Sequence, residues 1–265
     1  MNFDSYQTVS FSRRGRVLTM TMNRPEKLNA VDRRMHEELA TVFHEISNDP
    51  DSDIVILTGA GRAFSAGGDF HWFQDMIDDA RMWNKTRQEA KQIVFGLIDC
   101  EKPIIAKVNG HAMGLGATIA LFSDVIFAAK SARFADPHVS VGLVAGDGGA
   151  VIWPQLIGYA RAKEYLMTGD AINASDAASI GLINHAVADE ALDATVDAFA
   201  DRLAQGASEA IRYTKVAVNI GLRQLAHSLM DASIAYESMT NFTADHQEAV
   251  NAFKDKRRPK FGLPS

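Results

Sequence analysis

Two glycine-bearing loops and one histidine carry most of the chemistry this sequence could perform. The first loop, Gly59-Ala-Gly-Arg-Ala-Phe-Ser-Ala-Gly-Gly-Asp69, follows the apolar run Ile54-Val-Ile-Leu57, and the second, Asn109-Gly-His-Ala-Met-Gly-Leu-Gly116, follows Ile104–Val108. Short continuous apolar runs predict strands buried on both faces. Loops at the carboxyl ends of such strands line the ligand crevice of an open parallel sheet. Glycines there let a ligand reach main-chain N–H groups. Two N–H groups converging on one oxygen would form an oxyanion hole for an enolate or a tetrahedral intermediate, each donor contributing about 3 to 4 kcal/mol in the transition state. Either loop alone reads equally as a tight turn. His138 and Asp147, separated by Val139-Ser-Val-Gly-Leu-Val-Ala-Gly146, could pair so that the carboxylate fixes the imidazole tautomer and leaves the other nitrogen as a base. Spacing alone favours a plainer arrangement, a structural histidine with Asp147 capping a helix that starts near Gly148.

The elements that must position these groups alternate along the first half of the chain. Gln7–Ser12 and Val17–Met22, separated by Arg13-Arg14-Gly15-Arg16, predict a hairpin. Asp32 caps a predicted helix with Met35, Leu39, Val42, Phe43 and Ile46 at helical spacing, ended by Asn48-Asp49-Pro50. A helix is expected from about Asp75 to Ile98, a short one over Gly116–Phe122 and a strand over Val125–Ala128. Met76, Met82, Trp83 and Phe95 fall on the helix over 75–98, where core packing is the first expectation and pocket lining the second. From about Asp147 the pattern turns helical: Val151–Ile157, Ala160–Met167, Ala174–Ile180, Ala191–Ala204 and Ser208–Leu222, with helical spacing continuing to Phe253. The alternation predicts an α/β core followed by a helical C-terminal region, divided as 1–200 and 201–265.

Composition narrows the function classes. With 27 Lys and Arg against 33 Asp and Glu, the net charge of −6 argues against a nucleic-acid-binding protein. The single cysteine, Cys100, excludes an internal disulfide framework and a cysteine zinc site. Asp4 interrupts the N-terminus, so no secretory leader is expected, and the apolar stretch Pro103–Ala129 carries Lys107, Asn109, His111 and Asp124, which suits a core and not a membrane span. A cytoplasmic protein is expected. The phosphate-binding G-x-x-x-x-G-K-[ST] loop, the G-x-S-x-G elbow and the H-E-x-x-H metal motif are all absent, and Gly114-Leu-Gly116 is followed by Ile119 where the dinucleotide fingerprint needs a third glycine. No metal and no separate cofactor are expected. His44, His185, His227 and His246 lack a partner pattern and are expected at the surface or in helix packing.

In order, Arg24-Pro-Glu-Lys-Leu-Asn-Ala30, Phe64-Ser-Ala-Gly-Gly-Asp69, Lys107-Val-Asn-Gly-His-Ala-Met-Gly-Leu-Gly116, Leu166-Met-Thr-Gly-Asp170 and Ala177-Ala-Ser-Ile-Gly-Leu182 resemble the crotonase, or enoyl-CoA hydratase/isomerase, superfamily over nearly the whole chain. The resemblance implies an α/β crotonase-like spiral of ββα turns over 1–200 holding an acyl-CoA site. It also implies a helical region over 201–265 for assembly into a homotrimer or dimer of trimers and for covering the CoA. Coenzyme A would then be part of the substrate. By position, the oxyanion donors would be the N–H groups of Ala66 and Leu115. The CoA moiety would lie near Lys27, Leu28, Ala30, Ala63, Asp69 and Phe70, with Phe253 and Lys256 closing over it; Arg257, Arg258 and Lys260 read equally as a solvated tail.

The pattern departs from the hydratases of that family at the two positions where they hold glutamates, which here are Thr118 and His138. Threonine cannot serve as a base near neutral pH. Because His138 stands where the family keeps a catalytic glutamate, the His138–Asp147 pair is expected to replace it as acid and base. The segment Pro137-His138 through Gly146-Asp147-Gly148 and Val151-Ile-Trp-Pro154 is also similar to 6-oxocamphor hydrolase, a member that cleaves a β-diketone C–C bond with water. His36 and Glu237 fall near functional positions of that enzyme, although here His36 is expected on a helix surface and Glu237 in helix packing. His111, Thr118 and Glu237 are possible pocket residues, and His71 could sit near the acyl chain. The readings in order are an enoyl-CoA hydratase/isomerase-type enzyme, a β-diketone C–C hydrolase and an inactive CoA-binding scaffold.

Overall fold

A computed structural model describes residues 3–262. Strands β1 (Val9–Arg14) and β2 (Val17–Met22) form the expected hairpin, with the turn tightened to Gly15-Arg16 because Arg13 and Arg14 pair with Leu18 and Val17. Helix α1 (Arg33–Asn48) follows. The Asp32 carboxylate accepts from the Met35 N–H at 2.9 Å, and Met35, Leu39, Val42, Phe43 and Ile46 are all buried. Strand β3 (Ile54–Gly59) is buried at every position.

The region expected as one helix over 75–98 is two. Helix α2 (Phe70–Asp78) starts five residues early on an Asp69 cap, and α3 (Ala80–Asp99) starts on an Asp79 cap whose carboxylate accepts from the Arg81 N–H at 2.8 Å. Asp79 is extended (φ −124°, ψ 101°), and this break turns α3 back across α1. Then come β4 (Ile104–Val108), β5 (Ala112–Met113), α4 (Leu115–Leu121), β6 (Val125–Ala129) and β7 (Arg133–Ala135). A 3₁₀ turn over His138–Val141 leads to α5 (Gly149–Ile157), α6 (Tyr159–Thr168), β8 (Ile172–Asn173), α7 (Ala174–Ser179) and β9 (His185–Val187). Helix α8 (Leu192–Ala204) packs on the sheet, and the expected Ser208–Leu222 helix extends to 34 residues as α9 (Ser208–Asn241) before α10 (Ala244–Lys254).

The strands form two sheets. The larger has order β1-β2-β3-β4-β6-β9, antiparallel only at the hairpin; the smaller has order β5-β7-β8. Successive turns of chain therefore place one strand in each sheet, β4 with β5 and then β6 with β7, as the α/β spiral expectation requires. Most of the buried apolar side chains form one core around the large sheet, while Trp72, Met76 and Trp83 form a separate cluster over the loops. Among the described residues, no helix is long and apolar enough to cross a membrane.

Candidate active site

The two glycine loops meet. Gly67 (φ +86°) lies in left-handed space, and a Cβ there would stand 2.9 Å from the Met113 carbonyl oxygen. Gly114 (φ +51°) caps α4, and a Cβ there would come within 3.8 Å of the Gly67 Cα and 3.9 Å of the His138 Cε1. Glycine is needed at this junction because both the backbone angle and the approach exclude a side chain.

Hydrogen bonds tie the loops in place. The Met113 N–H donates to the Ser65 carbonyl (3.0 Å), the Gly114 N–H to that of Ala135 (2.9 Å) and the Val31 N–H to that of Gly67 (2.7 Å). The Ala66 N–H donates to the Leu28 carbonyl at 3.0 Å, so it is not available to a ligand, contrary to the expectation from sequence. The strand-like pairing of the chain at Val31 instead leaves the neighbouring Gly68 N–H without an acceptor among the described residues. The Leu115 N–H, in the first turn of α4, is also unpaired, as helix N-termini leave their first donors. Both residues line one cavity together with Ala66, whose amide is spent.

The acid–base group beside these donors is larger than the expected pair. His138 Nδ1 hydrogen-bonds to Asp136, and His138 Nε2 stands 3.6 Å from Asp147 Oδ2. Asp136 leans on Gly149, the first residue of α5, where any side chain would collide with it. Sequence reasoning missed Asp136, although its position two residues before His138 across Pro137 was the available signal. Burial alone would push the imidazole toward its neutral form; the charges of Asp136 and Asp147 outweigh it and hold His138 well above the usual histidine value. The two carboxylates thus favour the charged imidazolium of His138 over the neutral ring. Burial opposes ionisation of Asp147, but the His138 charge and hydrogen bond win and lower its pKa. Glu237, on α9, lines the same cavity; burial first and the Asp147 charge second raise it well above the usual carboxyl range. The two carboxyl groups are thus pushed apart, Asp147 toward its ionised form and Glu237 toward its protonated form, the kind of separation that can supply a base and an acid.

Ligating atoms of Asp136, His138 and Asp147 lie within 4.8 Å of one another. The carboxylates, however, occupy opposite nitrogens of one ring, Asp136 by a hydrogen bond and Asp147 by an ion-pair contact at 3.6 Å, so the arrangement is a row of charges and not a three-ligand cage. The free atom is Asp147 Oδ1, a buried carboxylate oxygen with no donor among the described residues.

The enoyl-CoA hydratase/isomerase family profile matches residues 12–263. The chain belongs to that family. It is 33% identical over 260 residues to the crotonyl-CoA hydratase of Syntrophomonas wolfei, covering 97% of this chain and 98% of that protein. An enoyl-CoA hydratase/isomerase from Mycobacterium paratuberculosis superposes with a TM-score of 0.89 at 38% identity, covering 92% of this chain and 97% of the other. A beta-diketone hydrolase from the cyanobacterium Anabaena sp. PCC 7120, bound to (S)-3-oxocyclohexyl acetic acid, superposes with a TM-score of 0.85 at 31% identity, covering 91% and 96%. The fold is the α/β crotonase fold with a helical C-terminal region.

Within this family member, the residues expected around CoA are partly assembled. Leu28 has φ +54° and Asn29 holds the turn by donating to the carbonyls of Ala60 and Ala63, each at 2.8 Å, so Leu28, Ala30 and Ala63 share one backbone knot. Phe70 and Phe253 stack face to face at 3.9 Å between centroids, which brings α10 of the same chain onto α2. Asp69 is occupied as a helix cap and by Arg24 at 3.5 Å. Lys27 and Lys256 are exposed. Arg257 is paired with Glu248 and Asp255, so that part of the basic tail is neutralised within the chain.

Several expectations need correction. His111 is exposed and outside the cavity; its carbonyl serves Phe64 and Ser65. Thr118 is fully buried but does not line the cavity. His36 is buried, not on a helix surface: its Nδ1 lies 2.8 Å from Glu89 Oε2 and it lines the cavity. Glu237, expected in helix packing or as a possible pocket residue, takes the second role. His246 is also fully buried, its Nδ1 2.6 Å from the Val141 carbonyl. His71 lies on the surface of α2, outside the cavity. Met76 and Trp83 both pack and line the cavity.

Proposed function

We propose that this chain is an acyl-CoA-thioester enzyme of the hydratase/isomerase type in which Gly68 and Leu115 N–H groups hold the thioester oxygen as it becomes an enolate. Asp147 Oδ1 takes a proton from carbon next to the thioester, and protonated Glu237 delivers one to the enolate at another carbon. The proton on Asp147 then returns to Glu237, so the cycle closes with a shifted double bond and no net proton change. His138, held charged by Asp136, fixes Asp147 and keeps it ionised; it is a positioning residue in this scheme, sharing with Asp147 the place of the family's glutamates. The observation that carries the reading is the buried Asp147 Oδ1, without a donor among the described residues, in a cavity that Glu237 also lines.

The CoA would follow Lys27, Leu28, Ala30, Ala63, Asp69 and Phe70, under Phe253 and Lys256. The region over 201–265 would serve assembly and CoA covering, the core over 1–200 the chemistry. Large apolar side chains left exposed on α9, among them Val218, Ile220, Tyr236 and Met239, support a homotrimer or dimer of trimers. The lone buried thiol of Cys100 fits a cytoplasmic setting.

Leu115→Pro tests the oxyanion role directly. Proline is tolerated in the first turn of a helix and removes the donor, but it also removes a buried, cavity-lining side chain, so Leu115→Ala, which keeps the N–H, is measured beside it. The proline variant should fold and lose about 10² to 10³ in kcat on an enoyl-CoA relative to the alanine variant. Unchanged kcat in a folded variant would overturn the scheme. A second reading, water-dependent C–C cleavage of a β-diketone, is favoured by the structural similarity to the cyanobacterial hydrolase. Turnover of cyclic 1,3-diketones with no turnover of enoyl-CoA thioesters would select it. No turnover of either, with thermal stabilisation by CoA, would select an inactive CoA-binding scaffold.

A further inference from the structure

The wall of the cavity built by α1, α2 and α3 has polar groups that the proposed proton transfer does not use. Trp72 is 7% exposed and lines the cavity, yet its indole N–H has no acceptor among the described residues. A buried donor left unmade keeps its full desolvation cost, so it marks a place where something else accepts. Beside it, the His36 ring lies 5.1 Å from the Trp72 ring, with Nδ1 given to Glu89 and Nε2 left without a protein partner. Glu89 is itself backed by Lys85 at 3.4 Å, which keeps its carboxylate in place behind the histidine. Arg87, one turn along α3, also lines the cavity and makes no ion pair among the described residues. The rest of this wall is apolar: Phe73, Met76, Trp83 and Ala90.

An unsubstituted hydrocarbon chain would bury the Trp72 N–H against carbon and leave it unpaired. We infer that the acyl group of the substrate carries a second oxygen acceptor, an oxo or carboxylate group, received by the Trp72 indole N–H with His36 and Arg87 beside it. This rests on the acyl-CoA reading above and adds to it the chemical class of the acyl part. Trp72 supplies a fixed, neutral donor. His36, held by Glu89 through Nδ1, lines the cavity beside it. Arg87, at the exposed end, meets the acceptor when it is anionic. These three are specificity-determining residues, separate from the proton-transfer group.

Binding of unreactive ligands tests the inference independently of turnover. Butyryl-CoA, acetoacetyl-CoA and glutaryl-CoA are titrated calorimetrically into the wild-type protein and into Trp72→Phe and Arg87→Gln. Cyclohexanone and cyclohexane-1,4-dione, which is not a 1,3-diketone, serve as ligands without CoA. At least one oxygen-bearing thioester should bind about tenfold or more tightly than butyryl-CoA, as a hydrogen bond to a buried donor provides. Trp72→Phe should remove that preference while leaving butyryl-CoA affinity within about twofold. Arg87→Gln, a change at an exposed position, should weaken glutaryl-CoA selectively if the acceptor is a carboxylate and leave acetoacetyl-CoA unaffected if it is an oxo group. Equal affinities of the three thioesters for the wild-type protein, or a preference that survives in Trp72→Phe, would overturn the inference. If no thioester binds but the dione binds more tightly than cyclohexanone in a Trp72-dependent way, the acceptor site stands and the acyl-CoA reading fails. If no thioester binds and the two ketones bind alike or not at all, both fail.

Discussion

Two regions of this molecule bury charge, and they finish the task differently. Beneath α1 and α9, Lys102 Nζ donates to the Ile46 carbonyl at 2.7 Å, to the Asp49 carbonyl and to Ser52 Oγ at 3.1 Å. Lys215 Nζ donates to the Lys102 carbonyl at 2.8 Å and pairs with Asp124 at 2.7 Å. Each ammonium faces oxygen acceptors, and no ammonium or carboxylate atom of this group is left as an orphan among the described residues. Around the cavity, by contrast, Asp147 Oδ1 and the Trp72 indole nitrogen are buried without partners among the described residues. Burial of charge alone therefore does not mark a site. What separates the two regions is that one network closes on itself and the other stops at a cavity, with its free atoms turned to whatever enters.

Asp147→Asn tests that contrast with the largest expected effect. It removes the proton acceptor but keeps the shape, so kcat on an enoyl-CoA should fall by about 10² to 10⁴. The melting temperature should shift less than in Lys102→Met. In that second variant three acceptors lose a buried charged donor, and stability should fall by about 3 kcal/mol. The kcat of its folded fraction should stay near wild type. Comparable loss of kcat in both variants, measured on folded protein, would erase the distinction between the regions.

A pH series sharpens the comparison through protonation. His138 has a raised pKa in the fold, so its stabilising contribution is complete below about pH 6.5 and is lost as pH rises through the raised value. Glu237 is also raised, so the unfolded chain releases its proton first and stability declines as pH climbs above the ordinary carboxyl value. Both act in the same direction. Melting temperature should fall between about pH 6 and pH 9, and His138→Gln should flatten the slope above about pH 6.5. A melting temperature that rises across this window would mean that neither group keeps its proton in the fold.

The same contrast explains what could be read from the chain before its structure. Continuous apolar runs such as Ile54–Leu57 and Ile104–Val108 located the buried strands, because burial on both faces requires apolar residues at every position. The Asp32 cap and the apolar stripe of α1 were legible for a similar reason: local chemistry and tertiary role agree there. The break at Asp79 was hidden, since aspartate serves as a cap only when the chain before it turns, and the polar pattern continues across it. At the site, glycines pointed to the right loops but not to the free amides. Which N–H remains unpaired depends on how Val31 pairs alongside Gly67 and Gly68, a contact 36 residues apart in sequence. The acid–base group was half visible. His138 and Asp147 were found by type and spacing, whereas Asp136 was passed over as a loop residue. His36 and Glu237 needed the packing of α1 and α9 around the cavity before their roles separated from ordinary helix positions.

Thr118 offers the smallest and most exacting test. The sequence resemblance sets it at one of two expected glutamate positions, and its hydroxyl is buried without a partner among the described residues. A Cβ added at Gly148 would lie 2.7 Å from its Cγ2, so the threonine methyl packs tightly against the backbone just beyond Asp147. If the orphan hydroxyl belonged to the reacting group, its loss would lower kcat as the loss of any hydrogen-bonding catalytic group does. Its position behind the cavity wall argues instead that it is an uncompensated polar atom in a packed interior. Valine preserves the branched shape and removes that penalty. Thr118→Val should therefore raise stability by about 1 kcal/mol, read from the denaturant midpoint at constant slope, with kcat within about twofold of wild type. A gain in stability with kcat intact would place the boundary of the working site between Asp147 and Thr118, while a tenfold fall in kcat would move Thr118 inside it.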